Sequence, residues 1–391
     1  MRFLKMLIRY LYIDDDHQND IQPLINELEH FGEGKVQIEH IRVRTMKEIV
    51  RKFSSDKFDG LIIDQKLDAA NEYGNTADYW GTSLAQNFRT EMIGREIDSA
   101  PIILLSNEDV FVQYYDLDES AHNLFDYAVK KRNVASSSEY ACKVSKIIIA
   151  LAIAYKHARE DVLPNIATLY SKPFELLEPL LKWDEAVFKY TDNRFVEYIQ
   201  TKSHDIHTLI SLLLNNFVYS AGILITEEML ATKLGVDISR SADWERLKGL
   251  LNGYKYQGVF SELKERWWFS RIEDWWLENY PEGQVLRAMK ASERVDALKK
   301  FTLLTDINAI IPKYSNGKQS EKFWVNCIVS GTPLDPYDAL IAKAVDLKPW
   351  EQKIYLDVET VYNRRHTPKF SVDHDYQKKV KPLYKRLTSD E

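Results

Sequence analysis

Cysteine is nearly absent from this chain: Cys142 and Cys327 stand far apart in 391 residues. Two distant thiols cannot form a disulfide framework and suit a reducing, cytoplasmic setting. No run reaches the roughly 18 uninterrupted apolar residues that a bilayer-spanning helix needs, so no membrane association is expected. Residues Met1–Ile8 resemble a signal peptide superficially, but Arg9 and the Asp14–Asp16 run interrupt it and no small-residue cleavage site follows. The stretch is read as the approach to a first strand. Glycine is scarce, at 14 residues, which leaves few backbone cradles for phosphate. There is no Gly-x4-Gly-Lys-Ser/Thr loop, no Gly-x-Ser-x-Gly elbow and no His-Glu-x-x-His, so no independent catalytic motif is found. A basic excess is missing too: 52 Lys+Arg face 59 Asp+Glu, for a net charge of −7. Residues 1–140 hold 16 Lys+Arg against 25 Asp+Glu, and the remainder holds 36 against 34. That balance excludes a domain-wide nucleic-acid backbone binder. Only Lys378–Arg386 is locally basic, and it is read as a solvated helix end.

What is present fits a soluble globular chain of two or three domains, with 45% apolar and 28% charged residues. In the first third, strands over 9–13, 36–42, 60–64, 101–105 and 126–129 alternate with helices over 18–30, 46–54, 82–93 and 119–123. Such alternation predicts a parallel sheet covered on both faces. Groups that follow the carboxyl ends of parallel strands converge at one rim. There the sequence places Asp14, Asp15 and Asp16 after the first strand, Asp64 after the third, Ser106 after Ile102–Leu105, and Lys130 after Tyr127–Val129.

These residue types suit one chemistry. Clustered carboxylates make a hard-oxygen site of the kind magnesium takes, with room left for phosphate oxygens. A carboxylate beside a divalent ion can attack phosphorus, because the ion offsets repulsion between two anions. Ser106 could hydrogen-bond a phosphoryl oxygen, and Lys130 could pair with it as a point charge. Taken singly, each Asp is an ordinary loop or helix-cap residue.

With these motifs in this order, residues from about 10 to 134 resemble the receiver domain of two-component response regulators. The resemblance implies a flavodoxin-like, doubly wound five-stranded parallel sheet. It makes Asp64 the phosphoacceptor, Asp14 and Asp15 with Asp64 the Mg2+ ligands, Ser106 the switch hydroxyl, Lys130 the partner lysine and Tyr127 the switch aromatic. It also implies a histidine kinase or phosphotransfer protein as phosphodonor. The chain departs from the family in two places. The usual Asp-x-x-Met-Pro is replaced by Asp64–Asp68 and an enlarged loop through Trp80, and the proline expected after Lys130 is Lys131.

Ser136–Ser138 is a plausible cap for a helix over 139–160, whose Ile147–Ala154 stretch is apolar on nearly every side. That helix is read as a connector over 136–162, packed between domains or against a second copy in a homodimer. Residues 163–391 read as mainly α-helical, with a possible division near 305–320. Helices are expected at 174–181, 194–217, 227–234, 243–251, 261–280, 285–301 and 337–362. Eight of the nine Trp lie beyond residue 180, and Trp267-Trp268 and Trp275-Trp276 recur at a spacing of eight, as buried rings on one helix face would.

Three weaker signals are given bland readings. Ser203–Leu209, with His204 and His207, resembles a sensor-kinase phosphoacceptor box, but no nucleotide-binding boxes follow. Residues 226–250 look like a helix-turn-helix whose reader, Ser239–Leu250, mixes acidic with basic residues and so makes DNA the secondary alternative. Cys327–Pro336 is read as a structural turn, since further zinc ligands are lacking. The sequence thus predicts a phosphoacceptor switch controlling a helical, protein-binding output domain. The alternatives are a DNA-binding regulator through 226–250, or a phosphorylation-independent receiver scaffold, for instance in phage defence.

Overall fold

A computed structural model describes residues 7–68, 79–107, 123–202, 205–280, 284–314, 316–343, 347–365 and 370–389. The expected helix at 119–123, the enlarged loop after Asp68 and His204 fall largely or wholly outside these residues.

Five strands form one sheet: β1 (Ile8–Ile13), β2 (Val36–Ile41), β3 (Gly60–Ile63), β4 (Ile102–Ser106) and β5 (Tyr127–Lys130). All pairings are parallel and the order is β2-β1-β3-β4-β5. This is the flavodoxin-like doubly wound topology, in which chain direction across the sheet reverses between β1 and β3. The strands are apolar runs because both sheet faces are covered. Pleating separates the faces. Leu11, Ile13, Leu61, Ile63, Ile102 and Leu104 pack on α2 (Met46–Ser55) and α3 (Gly81–Ile93) through Ile49, Phe53, Leu84 and Phe88. Thr45 caps α2 in a capping box with Glu48.

On the opposite face lie α1 (Gln18–Phe31) and the helix Ser138–His157. Tyr10 of β1 donates its hydroxyl to the Ile148 carbonyl at 2.7 Å, and Ser145 donates to the Leu28 carbonyl at 2.7 Å. The helix expected to be a connector therefore covers the sheet. Its residues Ala141, Val144, Ile147, Ile148, Leu151, Ala154 and Tyr155 are all buried within the chain, which explains apolarity on nearly every side. Ile149 and Ile153 of the same helix are half-buried.

The chain divides into two compact units. The first comprises Met1–Lys182 with Tyr198–Leu214 and Gly258–Leu263, and the second comprises Trp183–Glu197, Asn215–Gln257 and Lys264–Glu391. The second unit is mainly helical around buried Trp244, Trp267, Trp275, Trp276 and Trp324. Helix Glu227–Leu234 matches its expected bounds, started by the Thr226 cap and stopped at Gly235, whose φ of +78° suits glycine. Two expected helices resolve otherwise. Residues 261–280 contain the strand Trp267–Trp268, paired antiparallel with Leu224–Ile225, before helix Phe269–Asn279. Residues 337–362 form strands Ala339–Ile341 and Tyr355–Asp357, paired antiparallel, before the short helix Val358–Tyr362. Cys327 is buried in the turn joining strands Val325–Asn326 and Pro333–Leu334, as a structural turn requires. Among the described residues, no helix is long and apolar enough to cross a membrane.

Candidate functional site

The carboxyl ends of β1 and β3 bring Asp14, Asp15 and Asp64 together at the reversal point. One carboxylate oxygen from each lies within 4.8 Å of the others, and all three residues are buried. The local chain is shaped for this. Asp64 Oδ1 accepts from the Gln65 backbone N–H at 2.8 Å, and Asp14 Oδ1 accepts from the Asp16 N–H at 2.9 Å. Gly81 opens α3 directly above the strand end: its N–H donates to the Gln65 carbonyl at 2.9 Å, and a Cβ there would stand 2.2 Å from the Asp64 carbonyl oxygen. Only glycine lets the helix start so close.

The lysine at the site is Lys131, one residue beyond the expected Lys130. Its ammonium lies 2.6 Å from Asp14 Oδ2, 2.9 Å from Asp64 Oδ2 and 3.5 Å from Asp16 Oδ2. Lys130 ends β5 in register with Ser106, half-buried, and its backbone N–H donates to the Tyr140 hydroxyl at 3.3 Å. The cause is the pleat. Val129 and Lys131 share a side and are both buried, while Lys130 alternates away from them. With no proline after Lys130, β5 runs straight into helix Lys131–Ser136, and the second lysine is the one aimed inward.

Sequence reasoning also missed Tyr12, two residues before Asp14 and on the same side of β1. Its hydroxyl donates to Asp14 Oδ2. Period-two spacing from Asp14 was the signal that could have found it. Ser106 is placed as expected at the end of β4. Its hydroxyl is buried near enough to Asp64 to lower that carboxyl's pKa, and among the described residues it makes no hydrogen bond of ordinary geometry. Gln65 Oε1 is likewise buried without a partner. Tyr127 is half-buried at the start of β5, in register with Ile103.

The carboxylates of Asp14, Asp15 and Asp64 outnumber the one ammonium of Lys131, so the cluster carries an excess of negative charge. Burial pushes Asp64 up to about 6, with Lys131 opposing and Asp14 assisting. For Lys131, burial works against the charge, but Asp64 and Asp14 overcome it and hold the pKa well above the ordinary lysine value. Burial, then Asp14, keeps Tyr12 protonated far above the usual phenol range. An excess of hard anionic oxygen fits a magnesium ion, which takes carboxylate oxygens.

Elsewhere, His207 is not free to serve as a phosphoacceptor. Its Nδ1 is 3.0 Å from Asp126 Oδ1 and its Nε2 is 2.7 Å from the Asn123 carbonyl. The expected DNA-reading segment is a short turn, Ile238–Arg240, followed by helix Trp244–Leu250. The two cations of that helix are matched: Arg246 pairs with Asp243 at 2.8 Å, and Lys248 pairs with Glu227 and Glu245, each at 2.9 Å. A helix so neutralised has little charge for phosphates.

No protein-family model matches the chain, and no curated protein does. Among solved structures it is similar to a response regulator receiver domain protein from Clostridium thermocellum. The identity is 16%, over 36% of this chain and 98% of that one, with a TM-score of 0.23. The strand order and the buried acidic cluster, read from this chain itself, fit the receiver fold.

Proposed function

We propose that the first unit is a response-regulator-like phosphoacceptor switch, with Asp64 as the nucleophile, and that it governs a protein-binding second unit. The observation that carries this reading is Asp64 held between the Lys131 ammonium and the Ser106 hydroxyl at the strand-end rim. A carboxylate oxygen of Asp64 forms the new O–P bond while the P–N bond to a donor histidine breaks, and the departing imidazole takes its proton from solvent. Lys131 neutralises the charge that collects on the phosphoryl oxygens, and Ser106 donates its hydroxyl to one of them. Asp14, Asp15 and Asp64 would hold magnesium, which would add to the neutralisation of the incoming dianion. As Ser106 is drawn toward the phosphoryl group, Tyr127 on the adjoining strand shifts, and the β4–β5 face changes what it docks, a bias of a two-state element. The donor in this reading is a histidine kinase or phosphotransfer protein.

Intact-mass measurement after incubation with magnesium and phosphoramidate tests the reading. A single phosphoryl gain is expected in the wild type and none in Asp64→Asn. The gain should fall steeply in Lys131→Met and stay near wild type in Lys130→Met. No Asp64-dependent gain, from either phosphoramidate or acetyl phosphate, would leave a scaffold whose Asp64 is locked by Lys131.

A further inference from the structure

The second unit contains a cavity of about 520 Å³, within the size range of small-molecule sites, and the phosphoacceptor reading gives it no role. Its wall includes the rings of Phe269, Trp276 and Trp350. Both indole N–H groups are already used: Trp276 donates to the Gln284 carbonyl and Trp350 to the Asn216 carbonyl, each at 3.0 Å. The rings therefore offer the cavity apolar surface. Its rim leaves large apolar side chains in water, with Tyr190 61%, Val285 54% and Leu277 44% exposed.

The charge on this wall has one sign. Asp192, Glu273 and Asp274 all line the cavity, with no lysine or arginine among its lining residues. Two of the three are neutralised from outside the lining: Asp192 is gripped by Arg194 at 2.6 Å and Asp274 by Arg271 at 3.1 Å. Glu273 carries no hydrogen bond or ion pair among the described residues. Burial, opposed by the charge of Lys233 and assisted by that of Asp274, raises its carboxyl above the ordinary value.

We propose that this cavity binds a small organic cation, an aromatic or aliphatic body bearing one ammonium, with the body among Phe269, Trp276 and Trp350 and the ammonium on Glu273. Ring faces attract cations, and a charge-assisted bond to the exposed carboxylate on the cavity wall fixes the orientation. The site is independent of Asp64 and would give the second unit an input of its own.

Calorimetric titration of the full chain with phenethylammonium, its neutral isostere 2-phenylethanol and the anion 3-phenylpropionate tests this. The cation is expected to bind about tenfold or more tightly than the alcohol, and the anion not at all. Glu273→Gln, at an exposed position that should not disturb folding, is expected to abolish that preference while keeping the alcohol's affinity. Equal binding of cation and alcohol, binding of none of the three, or a preference that survives Glu273→Gln overturns the proposal. An N-acetyl-Phe-Lys-amide arm separates sources: tight binding of the peptide without binding of the free amine transfers the cavity to a protein partner and overturns the small-molecule assignment.

Discussion

The two units bury charge in opposite ways. In the first, buried cations meet buried carboxylates: Lys131 with Asp14 and Asp64, and Arg89 with Asp126 at 2.7 Å. In the second, three deeply buried cations lean on carbonyls and rings instead. Arg294 donates to the carbonyls of Thr232, Lys233 and Phe323. Arg266 donates to the Val218 carbonyl and leaves one guanidinium nitrogen unpartnered. Lys233 donates to the Trp324 carbonyl at 3.3 Å and lies 4.2 Å and 4.5 Å from the centres of the Trp324 and Phe269 rings. A matched pair is costly to break, because one deletion strands the other charge. An unmatched cation carries its desolvation cost already, and replacing it with an apolar side chain relieves that cost.

The largest expected effect breaks a matched pair. Asp126→Ala should destabilise the first unit by about 3–5 kcal/mol by leaving Arg89 buried without its counter-ion. Hydrogen exchange across β4 and β5 at neutral pH would measure it. Burial raises the carboxyl's pKa, but Arg89 and His207 outweigh it and hold Asp126 well below the ordinary value. The stabilisation is therefore fully present above the unfolded pKa near 4 and drains away as pH falls toward the lower folded value. A wild-type protein that keeps full protection of β4 well below that range would weaken the contrast.

Lys233→Met tests the unmatched side and should raise stability by roughly 1–3 kcal/mol near pH 7. Burial lowers the Lys233 pKa to about 7, against an ordinary 10.5. Between those values the unfolded state binds the proton and the folded state does not, so wild-type stability should climb as pH rises from 7 to 10. The substitution should flatten that climb. Tryptophan fluorescence follows the second unit selectively, since eight of the nine Trp belong to it.

Asp64→Asn leaves Lys131 paired with Asp14 and so strands no charge, and it should stabilise the first unit by about 1–2 kcal/mol at pH 7.5. Here the folded pKa is raised, to about 6. The folded state then holds its proton more tightly than the unfolded state, so the penalty is absent below pH 4, grows between 4 and 6, and is complete above 6. Unchanged stability at pH 7.5 would mean that Lys131 compensates the burial fully. The smallest effect is expected from Thr45→Ala, which removes the α2 cap at a cost of about 1 kcal/mol in chemical denaturation, with no change in phosphoryl uptake.

The same contrast governs what the sequence made legible. Fully buried parallel strands are apolar runs, so β1, β3 and β4 could be read, and with them the convergence of Asp14, Asp15 and Asp64. Which of two adjacent lysines faces inward depends on pleat phase where β5 meets its helix, and a sequence with Lys130 and Lys131 side by side leaves that open. In the second unit, the tryptophan pairs mimic helical spacing although Trp267 and Trp268 form a two-residue strand. Strands that short have no period to detect. The aromatic cavity and the unpaired Glu273 depend on segments around residues 190, 223, 273, 285 and 350 coming together, which no local pattern encodes.

Asp126 stands at the amino end of β5, about 15 Å of strand away from the reactive rim. Its two oxygens receive the backbone N–H that begins β4, the guanidinium of Arg89 in α3, the hydroxyl of Tyr155 and a nitrogen of His207. One carboxylate thus rivets two strands and three helices at the quiet end of the sheet. Whatever displacement begins around Asp64 would find that end fixed, like a door on its jamb, and its motion would be spent at the free rim, where a partner can feel it.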